Sequence, residues 1–140
     1  GTLARARVSG KKMWQVARTV QRTSDALLVG LARDARGAVT RVGGNFGPYD
    51  RFTAYDFRDG DVAFTTAHVP TTDVVAVDTD GDGVAEFVFG TADGRVVALR
   101  SDTGAEAWSI DAGAFTGAPA FGGGLMAVPV ADGTVRVFGF

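Results

Sequence analysis

One sequence pattern recurs three times in this chain: an alanine, five residues, a glycine, three residues, then an aromatic. It reads Ala4…Gly10…Trp14, Ala54…Gly60…Phe64 and Ala98…Gly104…Trp108, with glycine-to-glycine spacings of 50 and 44 residues. A recurrence of that length marks a stack of one supersecondary unit, each copy burying apolar surface against its neighbours. A second pattern lies inside the first. Ala92-Asp93-Gly94 and Ala131-Asp132-Gly133 each lead into an alternating apolar segment, Arg95–Leu99 and Thr134–Phe138.

The unit itself is read most clearly between residues 73 and 110. Val74–Val77 is a short apolar run, and Val84–Phe89 alternates, with Ala85, Phe87 and Phe89 on one side. Asp93-Gly94 is a hairpin signal, because both residues tolerate positive φ. Val96–Leu99 is the next strand, Asp102-Thr103-Gly104 turns again, and Ala107–Ile110 closes the unit with Trp108. Four short strands in fewer than 50 residues is the cadence of a β-propeller blade. Composition agrees: 20 glycines, 14 aspartates and only two glutamates favour turns over helices.

The flanks carry the same cadence. Asp25–Arg33, Arg51–Phe57 and Val62–Ala67 read as strands, with Gly37–Asp50 as a longer loop between them. Ala118–Phe121, Leu125–Val130 and Thr134–Phe138 open a last blade, turned first by Gly122–Gly124. Met13, Val16, Ala17 and Val20 have helical spacing, but the repeat favours a closing strand over Met13–Ala17. The expected fold is therefore all-β: a propeller-type array of four-stranded antiparallel blades, about three blade-equivalents in all. The expected division is the end of a blade at 1–16, a blade with a long inserted loop at 17–66, a blade at 67–112 and an incomplete blade at 113–140. Both ends of the sequence fall in mid-blade, so the array is expected to be part of a larger or completed ring, its remaining blades supplied by the same or another chain.

Charge is divided along the chain. Residues 1–58 carry eleven Lys or Arg against four Asp, and residues 59–140 carry three Arg against twelve Asp or Glu. The basic half reads as a solvated surface; Arg5, Arg7, Lys11 and Lys12 are only a weak version of the clustered basic residues and stacking aromatics of a nucleic-acid surface, and no nucleic-acid partner is expected. No apolar run approaches the ~18 residues of a membrane span. With no cysteine, disulfide and thiol chemistry are excluded.

Two stretches resemble known repeat families. Gly94-Arg-Val-Val-Ala-Leu99, followed by Asp102-Thr-Gly-Ala-Glu-Ala-Trp108, resembles the repeat of pyrroloquinoline-quinone-like β-propellers. Asp78-Thr-Asp-Gly-Asp-Gly-Val-Ala-Glu86, followed by Phe87-Val-Phe-Gly90, resembles the calcium loop of FG-GAP repeats, which occur in integrin-type propellers and secreted bacterial proteins. The resemblance implies that Trp14 and Trp108 pack one blade on the next. It carries no implication of a bound quinone. Phe64 departs from the pattern by standing where Trp stands in the other two repeats.

The acidic loop can be read on its own chemistry. Asp78, Asp80 and Asp82 occupy positions 1, 3 and 5, and Gly81 and Gly83 let the backbone curl. Calcium takes six to eight oxygens, so the expected ligands are these three carboxylates, the Val84 carbonyl and the Glu86 carboxylate. An EF-hand would need a bidentate Glu at position 12, where Phe89 stands. The lone histidine, His68, reads as a loop residue, and the glycine-rich stretch Val42–Asp50 as a plain loop holding Phe46 and Tyr49. No nucleophile elbow, phosphate loop or zinc motif is present.

The expected function is a calcium-stabilised, non-catalytic propeller module. It would act as a scaffold or adhesion surface of a secreted, periplasmic or cell-surface protein, with a protein or glycan ligand. Two alternatives stand beside it: a piece of a propeller enzyme of polysaccharide-lyase or quinone-dehydrogenase type, and a self-assembling subunit that forms a homo-oligomer.

Overall fold

The structure, a computed structural model, describes residues 10–15, 28–45, 51–114 and 117–140. Among them are eleven strands and no helix. They are β1 (Leu28–Arg33), β2 (Val39–Asn45), β3 (Thr53–Asp56), β4 (Val62–Thr65), β5 (Val75–Val77), β6 (Glu86–Gly90), β7 (Arg95–Arg100), β8 (Glu106–Asp111), β9 (Ala120–Gly122), β10 (Leu125–Pro129) and β11 (Val135–Gly139). They form three antiparallel sheets in chain order, β1-β2-β3-β4, β5-β6-β7-β8 and β9-β10-β11. The fold is all-β, with blade-like units of four, four and three strands.

The register of these sheets gives the repeat a physical meaning. Ala54 lies directly across from Phe64 on β4, and Ala98 lies directly across from Trp108 on β8. In both sheets the ladder slips immediately after the alanine, at Ala54/Tyr55 and at Ala98/Leu99. Two of the three recurring aromatics, Trp14 and Phe64, cover a glycine in the following unit. A Cβ on Gly60 would stand 2.8 Å from the Trp14 ring, and one on Gly104 would stand 2.5 Å from the Phe64 ring. Both glycines have φ of +78°, which L side chains rarely adopt. The Trp14 indole N–H also donates to the Phe57 carbonyl at 2.6 Å. Trp14 and Phe64 are thus knobs, and Gly60 and Gly104 the sockets they fill.

The core divides into two clusters, one on each side of the middle sheet. Phe87, Phe89, Val97 and Leu99 face the first sheet, where they meet Ala32, Phe52, Ala54 and Phe64. Val88, Val96 and Ala98 face the third sheet and meet Met126 and Val128, with Trp108, Phe121 and Phe138 packed around them. The ring of Phe52 lies 5.0 Å from Phe87 and 5.2 Å from Phe89. Burying each such side chain contributes about 1.5–3 kcal/mol. Val84–Phe89, read from sequence as one alternating strand, is strand only from Glu86 onward, and both faces of that strand are covered.

The glycine-rich stretch differs from expectation. Residues 39–45, expected within a loop, form β2, paired on both sides with β1 and β3. Glycine suits this strand because the neighbouring rings come very close: a Cβ on Gly43 would stand 2.5 Å from Phe52 and 2.9 Å from Phe87. Phe46 and Tyr49 lie outside the described residues. Residues 10–15 are neither strand nor helix, and the rest of the ambiguous segment, from Val16 onward, lies outside the described residues.

The socket can be separated from the backbone requirement. Gly37 also has positive φ, +85°, but open space where a Cβ would point. Gly37→Ala should lose only the ~1–2 kcal/mol of left-handed backbone strain. Gly104→Ala should lose about 1–3 kcal/mol more, because the added methyl must displace Phe64. Urea unfolding of both variants checks this, and equal losses would mean that the contact between Phe64 and Gly104 carries no packing energy.

Candidate metal centre

Residues 78–85 join β5 to β6 at the edge of the middle sheet, and the acidic side chains are turned inward by the loop's own amides. Asp78 accepts from the N–H of Gly81 at 2.8 Å and of Gly83 at 2.9 Å. Asp80 accepts from Asp82 N–H at 3.2 Å, and Asp82 from Val84 N–H at 2.8 Å. Gly81 and Gly83, with φ of +76° and +85°, supply the two left-handed steps that curl the loop.

Glu86 closes the ring from beneath. As the first residue of β6 it is 1 % exposed, whereas the three aspartates are at the surface. Its Oε2 accepts from Thr79 N–H at 3.0 Å, while the buried Oε1 has no hydrogen-bond partner. An ionised carboxylate with an unmatched buried oxygen is costly unless something positive meets it. Asp78, Asp80, Asp82 and Glu86 each offer one oxygen, all within 4.8 Å of one another. Oxygens bound to one calcium at about 2.3–2.6 Å lie on a sphere roughly 4.6–5.2 Å across, so the four carboxylates fit around a single such ion. Among the described residues this is the one gathered cluster of three or more His, Asp or Glu side chains.

Burial, the largest influence, pushes the Glu86 carboxyl above its ordinary range. The charges of Asp80 and Asp78 add to that rise, while the Thr79 amide opposes it. Asp82 is held below the usual range by the Val84 amide and then by the Arg100 guanidinium. Arg100 bridges two carboxylates, with Nη1 at 2.7 Å from Asp82 and Nη2 at 2.9 Å from Asp102.

Two members of the site were not among the sequence candidates. Arg100 pairs directly across the ladder from Glu86, so the hairpin through Asp93-Gly94, continued strand by strand, would have reached it. Thr79 gives its amide to Glu86, and its hydroxyl accepts from the Trp108 indole N–H at 2.9 Å. Nothing in the loop's spacing signals that second contact. Val84 lies in the curl and forms an antiparallel bridge to Asp34, which ties the loop to the first sheet. Phe89 is buried in the core, as an EF-hand's position 12 could not be. His68 stands apart from the cluster, its ring 6.3 Å from Phe89 and its carbonyl accepting from Phe52 N–H.

No protein-family model matches the chain, and no curated protein matches it. Among solved structures it is similar to BamB from Moraxella catarrhalis, with a TM-score of 0.51 and 20 % identity over 82 % of this chain. The chain spans 50 % of the length of that protein. At that identity the likeness bears on fold alone, and it supports a β-propeller-type architecture. Among the described residues no helix is long and apolar enough to cross a membrane.

The opposed shifts at Glu86 and Asp82 give the metal-free protein a distinctive pH response. Glu86 binds its proton more tightly in the folded chain than at its ordinary value of 4.5. Metal-free stability should therefore rise as pH falls from neutral toward that value. Asp82 and Asp102 are lowered from 3.8, Asp102 chiefly by Arg100, so their contribution is present above 3.8 and lost as pH falls through their folded values. Glu86→Gln should abolish the rise above pH 4.5 and leave the acid loss in place. Urea midpoints in metal-free buffer check this, and parallel profiles for the two proteins would show that Glu86 is not titrating under strain.

Proposed function

We propose that this chain is a calcium-stabilised, non-catalytic β-propeller module that serves as a scaffold or binding surface in a secreted, periplasmic or cell-surface protein. The observation that carries this reading is Glu86: a buried carboxylate with one unmatched oxygen, closed over by three inward-turned aspartates. A divalent cation would satisfy that oxygen and relieve the mutual repulsion of four carboxylates. Calcium suits a loop of this kind better than magnesium, which demands a stricter octahedron and retains several waters. The Val84 carbonyl and water would complete the shell.

The role assigned to the ion is structural. It would hold the β5–β6 connection against the seam where Thr79 meets Trp108. The resemblance of residues 78–90 to FG-GAP loops and of 94–108 to quinone-type propeller repeats supports the same reading. The blade division at residues 17–66, 67–112 and 113–140 belongs to it, as do further blades from the same or another chain. A site of the weak extracellular class fills only where calcium is abundant, which is the argument for export. Loops on the blade edges would then present the surface to a protein or glycan.

Thermal unfolding with calcium, with magnesium and with chelator tests the ion. A ligand that binds only the folded state adds about 2.7 kcal/mol at a hundredfold excess over Kd, so calcium should raise the melting temperature by several degrees, and magnesium by less. Asp80→Ala should abolish the rise while leaving the chelated protein little changed. No calcium response at millimolar concentration, or an equal response in Asp80→Ala, would overturn the assignment.

A further inference from the structure

The seam between the first and middle sheets holds a pocket of about 210 Å³. Arg33 and Arg41 come to it from the first sheet, Gly83 and Val84 from the acidic loop, and Ser101 and Asp102 from the turn between β7 and β8. The antiparallel bridge between Asp34 and Val84 ties the two walls together. Arg41 stands there with one edge of its guanidinium engaged and the other unmatched. Nη1 donates to the Thr40 carbonyl at 3.1 Å and to Asp56 Oδ2 at 3.3 Å. Nε is buried and has no hydrogen-bond partner, the one such side-chain donor among the described residues. Nη2 makes no hydrogen bond among them either. Nε and Nη2 form the side-on edge of the guanidinium, whose two parallel N–H groups match the two oxygens of one carboxylate. A buried donor left unpaired is costly.

The carboxylates already near the pocket have partners of their own. Asp34 Oδ1 accepts from the amides of Arg36 at 2.9 Å and Ala38 at 3.0 Å. Asp102 accepts from Arg100 Nε at 3.0 Å and Nη2 at 2.9 Å. Asp56 turns its other oxygen to the Arg58 amide at 2.9 Å. Arg33, by contrast, reaches only the Gly37 carbonyl, at 3.3 Å, and takes part in no ion pair among the described residues. The pocket therefore carries matched anions and incompletely matched cations.

We propose that this pocket binds one carboxylate, delivered as an acidic side chain of a partner protein and held side-on by Nε and Nη2 of Arg41. Arg33, which is exposed, adds its charge at the rim, and the Ser101 hydroxyl lines the same space. The inference gives a partner chemistry to the binding surface proposed above and rests on that reading, but it does not require a bound ion. Seating the second oxygen on the buried Nε takes a small turn of the guanidinium, a side-chain adjustment common at interfaces. The 3.3 Å contact to Asp56 is loose enough to permit it. Charge selects a monoanion. Arg33 and Arg41 cancel Asp34 and Asp102 on the wall, so a phosphate dianion would meet repulsion from both aspartates. A glycan finds no aromatic ring among the lining residues on which to stack.

Two-dimensional NMR of the isotope-labelled chain in chelator reads the pocket through the side-chain Nε–H of Arg41 and the amides of Gly83 and Ser101. The probes are capped glycyl-glutamyl-glycine, its glutaminyl counterpart, acetate, inorganic phosphate and glucuronate, all at one ionic strength. The glutamyl peptide should move all three signals saturably in the millimolar range. The glutaminyl peptide should bind about tenfold more weakly or worse, the worth of one charged hydrogen bond. Arg41→Lys keeps the charge and removes the fork, and should weaken the glutamyl peptide by a similar factor at the Gly83 and Ser101 amides. Asp56→Asn, which alters only the Nη1 edge, should leave binding nearly unchanged. The Nε–H signal of the unaltered chain decides the matter even where a variant folds poorly. Equal binding of the two peptides, an Arg41 Nε–H signal that does not move, or full binding by Arg41→Lys would overturn the site. Acetate or phosphate binding without the glutamyl peptide would make the ligand a free anion, and tighter binding of glucuronate would make it a glycan; either overturns the protein partner. The calcium response of melting is a separate measurement that none of these outcomes touches.

Discussion

Phe87 and Phe89 leave β6 on one side and Val88 on the other, and both sides are closed by another sheet. This double burial governs the rest of the molecule. A strand with two apolar faces has no stable existence in water alone, so the middle sheet requires neighbours on each side, and its neighbours inherit the same requirement on their outer faces. The knob-and-socket contacts set how the sheets stack. Phe64 over Gly104 and Trp14 over Gly60 are equivalent contacts one unit apart, and the first of them orients the first sheet on the middle one. A bulky residue at the glycine, or a small one at the aromatic, would disturb the stacking step without touching the hydrogen-bonded ladder.

The acidic loop is attached to this stack by the residue at which loop becomes strand. Glu86 begins β6, and its burial follows from the burial of Phe87 and Val88 beside it. The carboxylate cannot retreat to solvent without pulling the strand out of the core. The cluster is thus coupled to packing in a way that three surface aspartates alone would not be. Thr79 extends the coupling, joining Glu86 through its amide and Trp108 through its hydroxyl. Trp108 in turn packs in the cluster between the middle and third sheets. A charge placed among the four carboxylates therefore acts on the inter-sheet seam through two hydrogen bonds.

What the chain displays in its sequence and what it conceals differ by range. The Ala–Gly–aromatic recurrence, the Asp93-Gly94 turn and the DTDGDG run are local, and each corresponds to a local piece of geometry: a cross-strand pair, a left-handed glycine, a curl of inward carboxylates. The residues that eluded a sequence reading act across distance. Gly43 is glycine because Phe52 and Phe87, 9 and 44 residues later, come within contact of its α-carbon, and a run of glycines near a proline otherwise reads as a loop. Arg100 joins the site only because the β6–β7 register places it opposite Glu86. The four acidic residues were legible from spacing; the burial of one of them, which makes the cluster more than a surface turn, was not.

Arg100 and a divalent ion would have separate tasks in this loop. The guanidinium reaches only the outer edge of the cluster, engaging Oδ2 of Asp82 and turning its remaining donors to Asp102. It leaves the buried Oε1 of Glu86 unmatched. Its positive charge offsets one of the four carboxylates, and a divalent ion would offset two more, so the loop with both stays anionic by one charge. Neither makes the other redundant. The arginine pairs with Asp82 in the absence of an ion, and so would reduce the ordering that ion binding must still impose. An ion would be left to satisfy Oε1 of Glu86, which has no hydrogen-bond partner.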